Sequence, residues 1–342
     1  MLHSFVVGLG RSGAGLHLPS LAKARAAEPH LFAPGPVLGH DPLRPPTAAP
    51  GLLAAYSLEE AARRLPPHRT VVHLCTPPHL RAGLLARLGG LGYRMVIVEK
   101  PLALDLVGLA AVARVRRRFG LDLTVTTQWL ESALTRRLRA AVDGRAHGPL
   151  RAIRVAQHKP RFTRGGAGTD RHPTAFDVEL PHALAVVLTL AGGARLAAAA
   201  LDDLVTDRAR LPRLGGARLR LHHRSGVRTE LHSDLGSPVR ERRIVLEFDR
   251  AVLTGHYPCS DADHTAQLRI DAEGREPVRS VFPDDSLPAF VRAAYARYLH
   301  APLTPGTLPV QVDVVRLLTE AKALCASPPT GAERREEVAG AR

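Results

Sequence analysis

Five short apolar runs alternate with helical stretches over the first 127 residues, and this alternation restricts the fold more than any other feature. The runs are 4–9, 37–41, 70–75, 95–99 and 123–127. Helices are predicted near 14–27, from Ser57, and over 79–92 and 105–119. Ser57 with Glu60 three residues on has the form of a capping box. Strands each followed by a helix of this length predict a parallel, doubly wound α/β sheet.

After about residue 130 the pattern changes. A helix over 131–142 leads to a strand at 150–156, an irregular segment at 157–173 and a helix at 176–192. Strands follow at 195–201, 216–222, 227–232, 242–248, 251–256 and 265–270. Runs of adjacent strands predict a large mixed or antiparallel sheet in an α+β domain. Helices at 285–299 and 309–325 close it, and the Pro- and Gly-bearing stretch from Ser327 reads as a frayed tail.

Gly8-x-Gly10-x-x-Gly13 lies between the first strand and the first helix. Small residues there let the backbone approach a pyrophosphate, and the helix N-terminus attracts its charge. Arg11 and Ser12 belong to the same loop. Asp41 ends the second strand, where a carboxylate can bond ribose hydroxyls; it favours NAD over NADP. Its distance from the glycines exceeds the usual spacing of about 20 residues, and Arg44 nearby could hold a 2′-phosphate instead. Thr76-Pro77-Pro78 ends the third strand, beneath the expected place of a nicotinamide ribose. These features divide the chain into a dinucleotide-binding domain (1–127), a substrate and oligomerisation domain (128–326) and a flexible tail (327–342).

Glu99-Lys100-Pro101 follows the apolar run Met95-Val96-Ile97-Val98, which puts a carboxylate and an amine at the carboxyl end of a buried strand. The chain has 47 Lys plus Arg, of which only Lys23, Lys100, Lys159 and Lys322 are Lys. A Lys retained there suggests a need for an amine whose pKa can be moved. His182 is the candidate acid or base, because imidazole titrates near neutral pH. Pro181 before it and an apolar helix after it would fix its ring. Asp177 and Glu179 are equally ordinary first-turn helix acids; Asp177 is taken toward substrate and Glu179 toward orienting His182. Gln128, Trp129, His158, Lys159, Arg161 and His172 are candidate pocket residues. His256, Cys259, Asp261, Asp263 and His264 crowd one stretch, but their spacing fits no zinc pattern, and no metal is expected.

Composition excludes other classes. The net charge is +15, yet the Arg residues are scattered and no reader motif accompanies them. No nucleic-acid partner is expected. No apolar run is long enough to span a bilayer, so no membrane partner is expected. No signal-peptide pattern opens the sequence, and Cys75, Cys259 and Cys325 have neither disulfide nor metal spacing. A cytoplasmic location follows as the expectation.

Gly8-Leu9-Gly10-Arg11-Ser12-Gly13, Thr76-Pro77-Pro78 and Val98-Glu99-Lys100-Pro101-Leu102 together resemble the glucose–fructose oxidoreductase/inositol dehydrogenase (Gfo/Idh/MocA) family. The resemblance covers the first 125 or so residues in motif and the rest in layout. It implies NAD or NADP, and hydride transfer at a hydroxyl or carbonyl carbon of a sugar, cyclitol or related small molecule. It implies that Lys100 contacts the reacting oxygen and the nicotinamide ribose, and that subunits pair as a dimer or tetramer. The implied cofactor set is Gly8, Gly10, Arg11, Ser12, Gly13, Asp41, Thr76, Pro77, Glu99 and Lys100. A second family signature, Asp-x-x-x-His with a Gly ten residues after the His, is met by His182 and Gly192, but Val178 replaces the Asp. Arg81 stands where the family often has a His. These departures leave open a catalytically silent NAD(P)-binding sensor or regulator of the same fold.

Overall fold

The computed structural model describes residues 1–43, 51–160, 174–207, 209–260, 262–300 and 308–326. Arg44, Arg161, His172, Asp261 and the tail 327–342 lie outside the described residues.

The first sheet contains β1 (His3–Val7), β2 (Val37–His40), β3 (Leu52–Ala54), β4 (Thr70–Leu74), β5 (Met95–Val98) and β6 (Asp122–Val125). Their order is β3-β2-β1-β4-β5-β6, and every pair is parallel. The order reverses between β1 and β4, and at such a switch point the carboxyl ends of the strands open a crevice. β3 adds to the five strands predicted. Leu52, Leu53 and Ala54 include no β-branched residue and so give little strand signal; pairing with Val37, Leu38 and Gly39 makes them a strand.

The pleat sends neighbouring residues to opposite faces. Phe5, Val7, Val72, Leu74, Val96 and Val98 pack with α3 (Arg81–Gly90) and α4 (Leu106–Phe119). Val6, Val71 and Ile97 pack with α1 (Leu18–Ala27) and α8 (Ser286–His300). α2 (Leu58–Arg64) is capped as predicted: Ser57 Oγ accepts from the Glu60 N–H at 3.0 Å, and Glu60 returns a bond to the Tyr56 N–H at 2.7 Å. Although α8 comes late in the chain, it covers the first sheet. Burying Phe290 and Val291 there contributes on the order of 1.5–3 kcal/mol each. The surface ion pair Lys23–Asp285 adds about 0–1 kcal/mol, so apolar packing docks this helix.

The second sheet contains β7 (Leu150–His158), β8 (Ala194–Leu201), β11 (Gly216–His223), β12 (Arg228–Asp234), β13 (Glu241–Phe248), β14 (Ala251–His256), β15 (Thr265–Ala272) and β16 (Val278–Pro283). A short ladder of β9 (Leu204–Val205) and β10 (Arg210–Leu211) stands apart. The order is β16-β15-β14-β13-β7-β12-β11-β8, with only β7 and β12 parallel. One face is covered by α5 (Ala133–Gly144), α7 (Leu180–Ala191) and α9 (Leu308–Ala326). The other carries charge: Arg154 lies between Glu230 and Glu247, and Arg218 pairs with Asp202. Among the described residues no helix is long and apolar enough to cross a membrane.

Candidate active site

Gly8 and Gly13 shape the crevice at β1. Gly8 takes φ +91°, and a Cβ on it would lie 3.0 Å from the Cys75 carbonyl oxygen. A Cβ on Gly13 would lie 1.9 Å from the Gly8 carbonyl oxygen, a distance no side chain tolerates. The close approach of turn and helix therefore requires both glycines. A π-helical turn, Gly13–His17, then leads into α1. Asp41 buttresses the loop: its carboxylate accepts the Leu9 N–H at 2.8 Å and the Leu43 N–H at 2.9 Å.

Several polar atoms after the ends of β1, β4 and β6 are buried without a hydrogen-bond partner among the described residues. They are Ser12 Oγ, Thr76 Oγ1, Thr126 Oγ1 and Gln128 Oε1. Each such group costs about 1–3 kcal/mol unless something bonds it. Their concentration on the carboxyl edge marks a place built for a polar ligand. The glycine cradle and these groups fit a dinucleotide.

Lys100 lies just past β5, before a cis bond to Pro101. Its Nζ crosses to the second half of the chain and donates to the Val178 carbonyl oxygen. Glu99 turns elsewhere, and its Oε1 accepts from His17 Nε2 at 2.8 Å. Burial alone would raise the Glu99 pKa; the His17 bond and charge, with Lys100 and His182, pull it down to about 2. Burial opposes protonation of His17, but Cys75 and Glu99 override it and raise its pKa to about 10. Arg81, only 1% exposed, ties two loops of the crevice together. It donates to the Pro101 and Leu102 carbonyls and, at 3.1 Å, to that of Thr76. Burial lowers its pKa to about 10.

The single helix predicted over 176–192 is broken into α6 (Ala175–Val178) and α7 at Glu179. Pro181 falls in the first turn of α7, where the missing N–H is harmless. The break puts His182 and Glu179 beside Lys100, whose charge acts on both. The His182 ring is 8% exposed and stacks on Trp129 at 5.9 Å, and its Nδ1 has no partner among the described residues. Here the neutral-pH titration expected of His182 is corrected. Burial, then Lys100, lowers its pKa to about 3 against the pull of Glu179 and Glu99. His182 is a neutral hydrogen-bonding group at physiological pH.

The two acids also differ from expectation. Asp177 is turned toward α9, with its carboxylate accepting from Lys322 Nζ and Thr174 Oγ1, each at 2.8 Å. It holds the α6–α9 junction and does not join His182. Glu179 accepts from Gln157 Nε2 at 3.0 Å and Lys159 Nζ at 3.1 Å. Burial would raise its pKa, but Lys159, Lys100 and Arg242 lower it to about 2. It therefore acts on His182 through its charge.

Trp129 backs the site, stacked between His182 and Tyr257, the latter at 4.2 Å. His158 is a further correction. Ile153, Val155 and Gln157 face the helices, so the pleat turns His158 to the open face, against His232 and Glu241. Gln157, Arg242 and Tyr257 enter the site instead without having been singled out. Alternation with Val155 was the one signal that could have found Gln157. Among the described residues no group of three or more His, Cys, Asp or Glu could hold a metal.

No family model matches this chain, and no curated protein matches it. Solved structures do. The chain is similar to KijD10, a 3-ketoreductase from Actinomadura kijaniata in complex with NADP and TDP-benzene, at 18% identity and a TM-score of 0.73; the match covers 94% of this chain and 96% of that one. UDP-N-acetylglucosamine 3-dehydrogenase GnnA from Acidithiobacillus ferrooxidans matches at 17% identity and a TM-score of 0.70, over 95% of this chain and 98% of that one. An NAD binding oxidoreductase from Klebsiella pneumoniae matches at 15% identity and a TM-score of 0.74, over 95% of this chain and 97% of that one. At these identities the likeness establishes a shared fold.

Proposed function

We propose that this chain is an NAD(P)-dependent oxidoreductase of the Gfo/Idh/MocA family, moving a hydride to or from a hydroxyl or carbonyl carbon of a small polar substrate. One observation carries the reading. Lys100, from the carboxyl edge of the first sheet, meets the α6–α7 break that holds His182, beside a glycine cradle. The dinucleotide supplies the hydride chemistry when bound. Gly8, Gly13, Ser12, Thr76 and Asp41 hold it, with Gly10, Arg11, Pro77 and Glu99 in the same loops. The Asp41 carboxylate favours NAD, since it opposes a 2′-phosphate. Lys100 donates a hydrogen bond to the reacting oxygen and stabilises its developing negative charge. His182, kept neutral, accepts the hydroxyl proton at Nδ1 in oxidation and returns it in reduction. Lys100, Lys159 and Arg242 around the site suit a hydroxylated or anionic substrate. KijD10 and GnnA support a nucleotide-linked sugar within that class.

A second reading, a dinucleotide-binding sensor without turnover, is favoured by Val178 at the family's Asp position and by the low proton affinity of His182. Thermal melts with NADH and NADPH, then assays of nicotinamide absorbance with polyols and nucleotide-linked sugars, separate the two. A ligand at 100 times its Kd stabilises by about 2.7 kcal/mol. Stabilisation with turnover supports the enzyme; stabilisation without turnover on any substrate supports the sensor; no stabilisation by either cofactor rejects both. The proposal extends to a homo-oligomer formed through the open face of the second sheet, where Val252 is 39% exposed. Light scattering should then find a particle heavier than the 36.8 kDa chain.

A further inference from the structure

We propose that His17 is a positioning residue for Lys100: it holds the Glu99 carboxylate away from the Lys100 amine, leaving that amine free for the reacting oxygen. Glu99 and Lys100 are sequence neighbours at the end of one strand. In a partly buried crevice such neighbours attract strongly, because the effective dielectric is far below that of water. Yet they do not pair. Glu99 is bonded to His17 at 2.8 Å, while Lys100 reaches the Val178 carbonyl and has no carboxylate within ion-pair distance among the described residues.

The local fold makes this diversion possible. In the π-helical turn the His17 N–H bonds the Ser12 carbonyl at 2.9 Å, five residues back. Such a turn carries one extra residue and re-aims the side chains that follow. Leu16 is left exposed, and His17 is sent wholly into the core. Behind it a chain of polar groups fixes the ring. His17 Nδ1 lies 2.8 Å from His73 Nδ1, His73 Nε2 lies 3.0 Å from the Tyr295 hydroxyl, and that hydroxyl donates to Ser4 Oγ at 2.7 Å. With a proton on each nitrogen of His17, every bond has one donor: His17 to Glu99, His17 to His73, His73 to Tyr295, Tyr295 to Ser4. The titratable groups facing His17 are Glu99, His73 and Cys75. A buried polar chain of this kind adds little stability over apolar packing of equal volume. Its distinctive effect is to supply Glu99 with a fixed donor other than Lys100.

The inference rests on Lys100 being the amine of the proposed site. Its test needs neither cofactor nor turnover, so it is decided separately from the hydride-transfer reading. The chain has four Lys, so protein labelled with 13C at lysine Cε gives four signals, and Lys100 can be titrated by NMR. In H17L, Glu99 is released toward Lys100, and the Lys100 midpoint should rise by about one unit or more over wild type. H17Q still donates to Glu99 and should stay near wild type, and H17L/E99Q should return there. An unchanged midpoint in folded H17L, or a rise that persists in H17L/E99Q, overturns the proposal. If H17L does not fold, the wild-type protein decides. Nitrogen-15 NMR at neutral pH should find a proton on His17 Nε2, the atom that faces Glu99, and an Nε2 without a proton overturns the proposal.

Discussion

In the first sheet both faces are buried under helices, whereas the second has one face covered and one open to charged side chains. A sheet covered on both sides can offer a ligand only its edge. There the strands stop, the backbone turns, and Gly8, Thr76, Glu99 and Lys100 emerge. The second sheet contributes instead from within a strand, on its covered face, as Gln157 does to Glu179. The site is thus half edge and half face. In the edge half, position along the chain decides what reaches the ligand. In the face half, the parity of the pleat decides it.

The edge half should show the largest effect. Lys100→Ala should cut turnover by about 10²–10³-fold, the loss typical of removing one donor to a developing oxyanion, while NADH still stabilises the protein against heat. Turnover equal to wild type on a verified substrate would make Lys100 structural.

The contrast between the faces can be tested by stability. Leu246 is fully buried beneath the helices, and Leu246→Ala should cost about 2–5 kcal/mol in denaturant melts. Val252, one strand over on the open face, should change stability by less than about 0.5 kcal/mol as Val252→Ala at concentrations where the subunits are apart, and by more where they pair. A large loss at Val252 would show that another surface covers that face, as the proposed oligomer requires.

Parity within one strand gives a finer test. Gln157→Leu removes a donor to Glu179 and should shift the kinetics with any accepted substrate. His158→Leu, on the opposite face, should leave kcat and KM unchanged. Equal effects at both positions would refute the assignment of faces.

The remaining contrast between the two regions lies in the shape of stability against pH. The unfolded chain protonates His182 near 6.5, but the folded protein does not until about 3. Stability therefore falls as pH drops below 6.5. Glu99 and Glu179, held at about 2, add stability above 4.5 that is lost as pH falls toward 2. His17 runs the other way. Its proton is kept to about 10, so its contribution is full below 6.5 and fades as pH rises to 10. Melting temperature should peak near pH 6.5. His182→Asn should reduce the slope below 6.5, where buried His73 also contributes, and His17→Gln that between 6.5 and 10; a slope unchanged in either variant would refute its assignment.

The sequence by itself determined the parallel sheet, the glycine turn and the place of Lys100. Each follows from short-range rules: strand runs, φ freedom at Gly8, and the fact that a strand's last residues sit at its edge. It also determined the capped helix at Ser57, whose bonds span only a few residues. The tertiary structure alone decided which of Asp177 and Glu179 joins His182, because that choice depends on the helix break and on Lys322 and Lys159, distant in sequence. It decided that His158 faces away and that α8 returns to cover the first sheet. It also set the charge of His182 and of His17. A pKa is fixed by burial and by neighbours brought from elsewhere in the chain, and a run of residues does not carry that information.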